Sequence, residues 1–335
     1  MSRRVIPGLE TPDPVLEREV RDRLAAVEVA LGEAVRADSE MLAETSRYLL
    51  AAGGKRFRPM LVLLSGYFGD PADPRLIPGA VAIELVHAAT LYHDDVIDEA
   101  EARHGVPSVN VRWSNTVAIL TGDHLFARAS EISADLGADV ISLLVRTIAT
   151  LCDGQIREIE ASGNVEQTRE AYLEVIRRKT GALIATSCRM GGILSATDPE
   201  HIGVLEDYGE ALGMAFQLSD DIMDVTSSAS ELGKEPGVDM KEGVYTLPVL
   251  LALREGADRA ELSSLLSGGP PEGDRLARAL EIVRDPSTLA TTRAAVAAEV
   301  DRAQELAGRL PAGAAQTALL QLSEFLAVRC GARQT

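Results

Sequence analysis

From Val15 to about residue 330, apolar residues recur at spacings of three and four, and the period-two pattern of a strand is almost absent. That restricts the chain to an all-α fold. Leu16, Val20, Leu24, Val27, Leu31 and Val35 mark an amphipathic helix, with a successor reaching Leu50. A break rich in Gly, Lys and Arg follows at 51–59, then a helical run over 60–68 and a Pro/Asp-rich turn at 69–78. Residues 80 to about 100 read as a buried helix ending in carboxylates, and 104–108 breaks the pattern. Further helices are predicted at about 114–135, 138–160, 168–196, 199–226, 245–254, 258–267, 275–283, 286–309 and 312–330, with a surface loop at 267–274. Residues 1–14 carry three prolines and form a loose arm. No fixed-period repeat and no long linker interrupts 15–335, so this stretch reads as one domain of roughly a dozen helices around one core. The composition agrees: 46% hydrophobic but only 4% aromatic, with Ala, Leu and Val dominant.

A formal charge of −18 argues against nucleic acid as a partner. It also repels anionic substrates, so a phosphate-binding function needs local cations, a bound metal or both. The three cysteines, Cys152, Cys188 and Cys330, are widely spaced and form no CxxC pair, which disfavours a disulfide framework or a zinc site and points to a reducing, cytoplasmic compartment. No apolar region follows the basic N-terminal residues, and no window holds eighteen uncharged apolar residues in a row.

Two identical acidic patterns stand far apart: Asp94-Asp95-Val96-Ile97-Asp98 and Asp220-Asp221-Ile222-Met223-Asp224. Each is a DDxxD at the end of an apolar helical run. Positions i and i+4 share a helix face, so Asp94 points with Asp98 and Asp220 with Asp224. Six carboxylates brought together would repel one another unless some stayed protonated or divalent cations intervened. Oxygen ligands without His or Cys suit Mg²⁺, which is held by one or two carboxylates plus substrate phosphates. A single DDxxD can also be a solvated acidic helix end; two copies after apolar runs are harder to explain that way.

Upstream of the first motif His87, Thr90, Leu91, Asp94 and Asp98 share one helical stripe, and Gln217 precedes the second motif by one turn. Gln217 could serve as a core polar group or as a substrate contact. Gly53-Gly54-Lys55-Arg56-Phe57-Arg58-Pro59 places three cations in four residues after two glycines. That arrangement suits phosphate oxygens but lacks P-loop spacing, and it reads equally as a basic helix cap. Arg103, Lys179 and Lys234, taken singly, read more readily as surface charges than as ligands.

In order, GGKRFRP (53–59), HAATLYHDDVID (87–98), GQ (154–155), KT (179–180), FQLSDDIMD (216–224), GKEPGVD (233–239) and EGVYTLPVL (242–250) resemble the trans-isoprenyl diphosphate synthase family over about residues 40–330. The resemblance implies an isoprenoid-synthase type of fold, helices around a central cavity. It also implies a prenyltransferase that joins isopentenyl diphosphate to an allylic diphosphate, head to tail and all-trans. Asp94, Asp98 and Asp220 would hold Mg²⁺, three ions per site, on the allylic diphosphate, supported by Asp95, Asp221 and Asp224. Arg103, Lys179 and Lys234 would grip that diphosphate; Lys55, Arg58 and His87 would bind isopentenyl diphosphate. Thr180 and Gln217 would line the reacting centre. Ionisation to an allylic carbocation would precede attack by the isopentenyl double bond, with the released pyrophosphate as base.

Two positions depart from the family pattern. The arginine pair usual after the first DDxxD is Arg103-His104 here, so binding of isopentenyl diphosphate would become pH-sensitive if His104 fills an arginine's place. Val244 stands where many relatives read EGK. In this family, side chains about a turn before the first DDxxD help set product length. Here Ala89 and Thr90 are small and Val86 lies a turn deeper, which implies a product of thirty carbons or more, with Phe126 either the floor of the path or an ordinary core aromatic. The resemblance also implies a homodimer and transient membrane contact on product release. A shorter-chain (geranylgeranyl or farnesyl) synthase is the alternative on product length. A class I terpene cyclase is disfavoured by the second DDxxD and the basic cluster, and a non-catalytic synthase subunit by the intact metal and cation residues.

Overall fold

The computed structural model describes residues 13–103, 105–227 and 236–333. Helices account for nearly all of this, with one two-stranded hairpin. In order they are α1 (Pro14–Ala34), α2 (Glu40–Ala51), α3 (Phe57–Ser65), α4 (Leu76–Ile97), α5 (Val109–Arg112), α6 (Asn115–Leu136), α7 (Ala138–Ala161), α8 (Arg169–Ile176), α9 (Ala182–Leu194), α10 (Pro199–Thr226), α11 (Val238–Lys241), α12 (Leu247–Glu255), α13 (Arg259–Leu266), α14 (Gly273–Val283), α15 (Pro286–Gly308) and α16 (Ala314–Arg329). The long helices fall within a few residues of the predicted spans. Several starts are set by side-chain caps: Asp13 accepts from Val15 N and Leu16 N, Ser39 from Leu42 N, Ser114 from Val117 N and Thr168 from Ala171 N. The expected arm lies outside the described residues as far as residue 12.

Three features differ from the predicted pattern. The segment expected as one helix over 168–196 is interrupted by a five-residue π-helix, Arg177–Gly181, between α8 and α9. Such bulges are rare and cluster at functional sites. The break after α4 is a hairpin, β1 (Ala102–Arg103) against β2 (Val106–Pro107). Two strands of two residues leave no alternation for sequence to reveal. α5 and α11 are single turns below the length that periodicity detects.

The chain divides into two compact units, each discontinuous in sequence. The first comprises residues 1–149, 183–209 and 306–321; the second comprises 150–182, 210–305 and 322–335. All five junctions fall inside helices: α7, α9, α10, α15 and α16.

In the first unit α4 packs on α6, α3 and α1. It is apolar on nearly every side, with Val81, Ile83, Leu85, Val86, Ala89 and Tyr92 all buried, as befits a central helix. By length and composition it could cross a membrane, but 67% of that window is buried inside the protein. Tyr92 lies off the predicted stripe and ties α4 to α2, its hydroxyl donating to Thr45 O and accepting from Leu49 N at 3.4 Å. In the second unit α12 packs on α8 and α13, and α13 on α14.

Candidate active site

The basic loop leads into the first unit's site. Arg56 is the residue before α3 and adopts a left-handed backbone (φ 45°). Its guanidinium reaches Glu84 Oε1 on α4 at 2.9 Å, Leu50 O at the end of α2 at 2.8 Å, and both carboxylate oxygens of Glu28 on α1. Arg56 is therefore committed to four helices. Lys55 is exposed and Arg58 half-buried. The Nε of Arg58 is buried and bonds to no protein atom. Burial lowers its pKa, with Glu84 acting in the opposite sense. A buried guanidinium N–H without an acceptor is costly. Burial lifts the Glu84 carboxyl above the ordinary range, and Arg56 and Arg58 pull it back. His87 lies one turn after Glu84 on α4, half-buried, and Thr90 donates to His87 O at 2.8 Å.

The three aspartates of the first motif are unlike one another. α4 ends at Ile97, and Asp98 caps it through its N–H to Asp94 O at 2.8 Å. Asp94 is half-exposed and Asp98 exposed, whereas Asp95 is fully buried. Arg103, expected as a diphosphate ligand, bonds Asp95 Oδ1 through Nε at 2.7 Å and Nη2 at 2.6 Å. Asn110 Nδ2 donates to Asp95 O at 3.0 Å and Ala100 O at 3.2 Å, folding the hairpin back on the end of α4. His104 lies outside the described residues.

Of the residues tied to product length, Val86 and Ala89 are fully buried while Thr90 and Phe126 are half-buried. The Phe126 ring meets the His93 ring at 5.5 Å between centroids. His93 Nε2 lies 3.2 Å from Ile119 O and 3.3 Å from Asp123 Oδ1. A Cβ on Gly122 would lie 2.4 Å from that nitrogen, so glycine is what lets the imidazole dock on α6.

The second motif sits wholly within α10 and repeats the division at its first two positions but not at its third. Asp220 remains partly exposed, while Asp221 and Asp224 are buried. Asp221 accepts from the Tyr172 hydroxyl and from Gln217 Nε2 at 3.2 Å, and Gln217 Oε1 accepts from the Thr180 hydroxyl at 2.9 Å. Burial pushes the Asp221 carboxyl up to about 8; the Tyr172 and Gln217 bonds oppose this, and the nearby Asp239 and Asp224 charges reinforce it. Asp220 pairs with Arg329 of α16.

Thr180 and Lys179 belong to the π-helix, and Lys179 Nζ bonds Glu158 of α7. A Cβ on Gly154 would lie 2.8 Å from Lys179 N and 2.9 Å from Arg178 Cβ, so only glycine lets α7 pass this close to the π-turn. Gly237 N bonds Asp224 O at 3.0 Å, returning the chain to the end of the motif. Lys234 lies outside the described residues. Val244 lies in the second unit beside Glu158, Tyr172 and Tyr245.

Sequence reasoning missed Glu84, Tyr172, Glu158 and Arg329. Glu84 is a carboxylate in the apolar run before the first motif, the one cue sequence offers; the other three sit in ordinary helical surroundings. The donor chemistry fits divalent cations. Among the described residues no group of three His, Cys, Asp or Glu side chains converges by itself.

An all-α chain with a basic loop and two helix-borne DDxxD motifs of this form defines a prenyltransferase of the isoprenoid-synthase fold. The polyprenyl synthetase profile matches residues 39–283, and the chain belongs to that family of trans-prenyltransferases. It is 39% identical over 329 residues to the nonaprenyl diphosphate synthase of Mycobacterium tuberculosis, covering 98% of each chain. It superposes on the crystal structure of a decaprenyl diphosphate synthase from Rhodobacter capsulatus with a TM-score of 0.88 and 33% identity, covering 94% of this chain and 98% of that one. The geranylgeranyl pyrophosphate synthase of Corynebacterium glutamicum, crystallised with calcium and isoprenyl diphosphate, gives a TM-score of 0.85 and 39% identity, covering 96% and 99%.

Proposed function

We propose that this prenyltransferase condenses isopentenyl diphosphate with an allylic diphosphate, head to tail and all-trans, and repeats the step to a product of thirty carbons or more. The observation that carries the reading is the division within both motifs. Asp94 and Asp220 reach solvent, while Asp95 and Asp221 are fully buried against Arg103 and Tyr172. Asp94, Asp98 and Asp220 are thus the carboxylates that Mg²⁺ and a diphosphate reach from solvent; Asp95, Asp221 and Asp224 hold them in place. Mg²⁺, when bound, supplies the positive charge that lets the allylic diphosphate depart. Calcium with isoprenyl diphosphate in the Corynebacterium enzyme supports both the metal and the substrate class.

Lys55, Arg58 and His87 bind the diphosphate of the isopentenyl substrate, Lys55 from an exposed position and Arg58 and His87 from half-buried ones. Lys179 is held by Glu158 and Thr180 by Gln217, so both are aimed before substrate arrives. Lys234 and His104 join these sets on the family resemblance, as does the homodimer.

Incubation of the purified chain with Mg²⁺, labelled isopentenyl diphosphate and a series of allylic starters, followed by product sizing, tests the reading. Elongation that stops on chelation, and falls at least about 100-fold in Asp94→Ala and Asp220→Ala, is expected. Turnover of the allylic substrate without isopentenyl diphosphate would instead identify a cyclase. Phe126→Ala lengthens the product if Phe126 closes the path; an unchanged product removes it from that role.

A further inference from the structure

The guanidinium of Arg329, at the last residue of α16, spends all its described contacts on one turn of α10. It bonds Asp220, donates through Nε to Ser219 Oγ at 2.8 Å, and lies 5.2 Å from the centroid of the Phe216 ring. The Arg329 side chain is only 14% exposed, while that of Asp220 is 42% exposed. A guanidinium so stripped of water needs a partner to offset its desolvation. Asp220 supplies one, yet keeps an open side from which a cation can approach.

We propose that Arg329 is the built-in counter-ion of the second acidic motif, occupying Asp220 in the metal-free chain and yielding it to a divalent cation. This rests on the reading of Asp220 as a metal ligand. Arg329 is a positioning residue. It neutralises the most accessible carboxylate of a cluster that already contains Asp221 and Asp224. It also competes with metal alone, so Asp220 gives up its arginine most readily when the cation arrives with a diphosphate. A carboxylate offers about four lone-pair sites but one net charge, so a cation and a guanidinium held to it each weaken the other.

The test is Mn²⁺ titrated alone into the full chain and followed by electron paramagnetic resonance. Arg329→Gln should bind Mn²⁺ about tenfold more tightly than wild type, while Arg329→Lys, which keeps the charge, stays near wild type. Ser219→Ala, which removes only the Nε anchor, should gain about two- to threefold, and it carries the test if Arg329→Gln does not fold. The gain should vanish in Arg329→Gln with Asp220→Asn. Unchanged or weaker Mn²⁺ binding in Arg329→Gln and Ser219→Ala overturns the proposal and leaves Arg329 as a docking contact for α16. A wild-type chain that fails to elongate prenyl diphosphates overturns the proposed function instead, so the two failures are distinguishable.

Discussion

Replacing Glu84 by glutamine keeps its shape and removes its charge. Arg56 then loses its buried ionic partner and Arg58 the nearest carboxylate acting on it. Breaking a buried pair on one side costs about 3 kcal/mol, and chemical denaturation of Glu84→Gln should show a loss of that order. Because α4 and the basic loop are joined through this contact, the KM for isopentenyl diphosphate should rise several-fold while that for the allylic substrate changes little. A second residue-scale test uses Asp221. Its folded-state pKa of about 8 lies above the unfolded value of 3.8. Between those values the folded chain binds a proton that the unfolded chain has released. Metal-free stability should therefore fall as pH rises from about 4 towards about 8, on the order of 1 kcal/mol per pH unit at its steepest, and level off above. The curve of Asp221→Asn should lack that contribution, so the difference between the two proteins should grow across the same window. A constant difference would mean that Asp221 is ionised in the fold.

At the scale of elements, the π-turn is the feature to disturb. Gly154→Ala pushes a methyl group into the Lys179 and Arg178 backbone region, where a clash of this kind costs about 1–3 kcal/mol. We expect a lower melting temperature and a fall in kcat of about tenfold or more, since Lys179 and Thr180 ride on that turn. Most helices were legible because they write a buried face at 3.6-residue spacing, and several begin at an Asp, Ser or Thr cap; α4 was legible instead as a long apolar run. Both acidic motifs were legible because their i, i+4 geometry is local. The π-turn was not: Arg177–Gly181 continues a helical pattern, and one extra residue in a turn leaves no mark in composition. Nor was the split in the basic cluster. Lys55, Arg56 and Arg58 are chemically alike in sequence, and only the placement of Glu28, Glu84 and Leu50 O around Arg56 separates the structural arginine from its neighbours. Arg329 and Asp220 are 109 residues apart. A pairing over such a distance is set by tertiary packing, which no window along the chain contains.

For the molecule as a whole, the interleaving of the two units carries the strongest expectation. The first unit draws residues 183–209 and 306–321 from beyond the second unit's first segment. A fragment of residues 13–149 therefore lacks part of its own core. Expressed alone, it should show helical circular dichroism without a cooperative melt and without dispersed methyl resonances; a cooperative transition would mean that α1 to α6 suffice. The same architecture narrows how such a gene can change over time. A domain bounded by loops can be copied, lost or exchanged as a block. Here every crossing lies within a helix, so neither half can be inherited without the other. Innovation is left to single side chains and to surface loops such as 267–272.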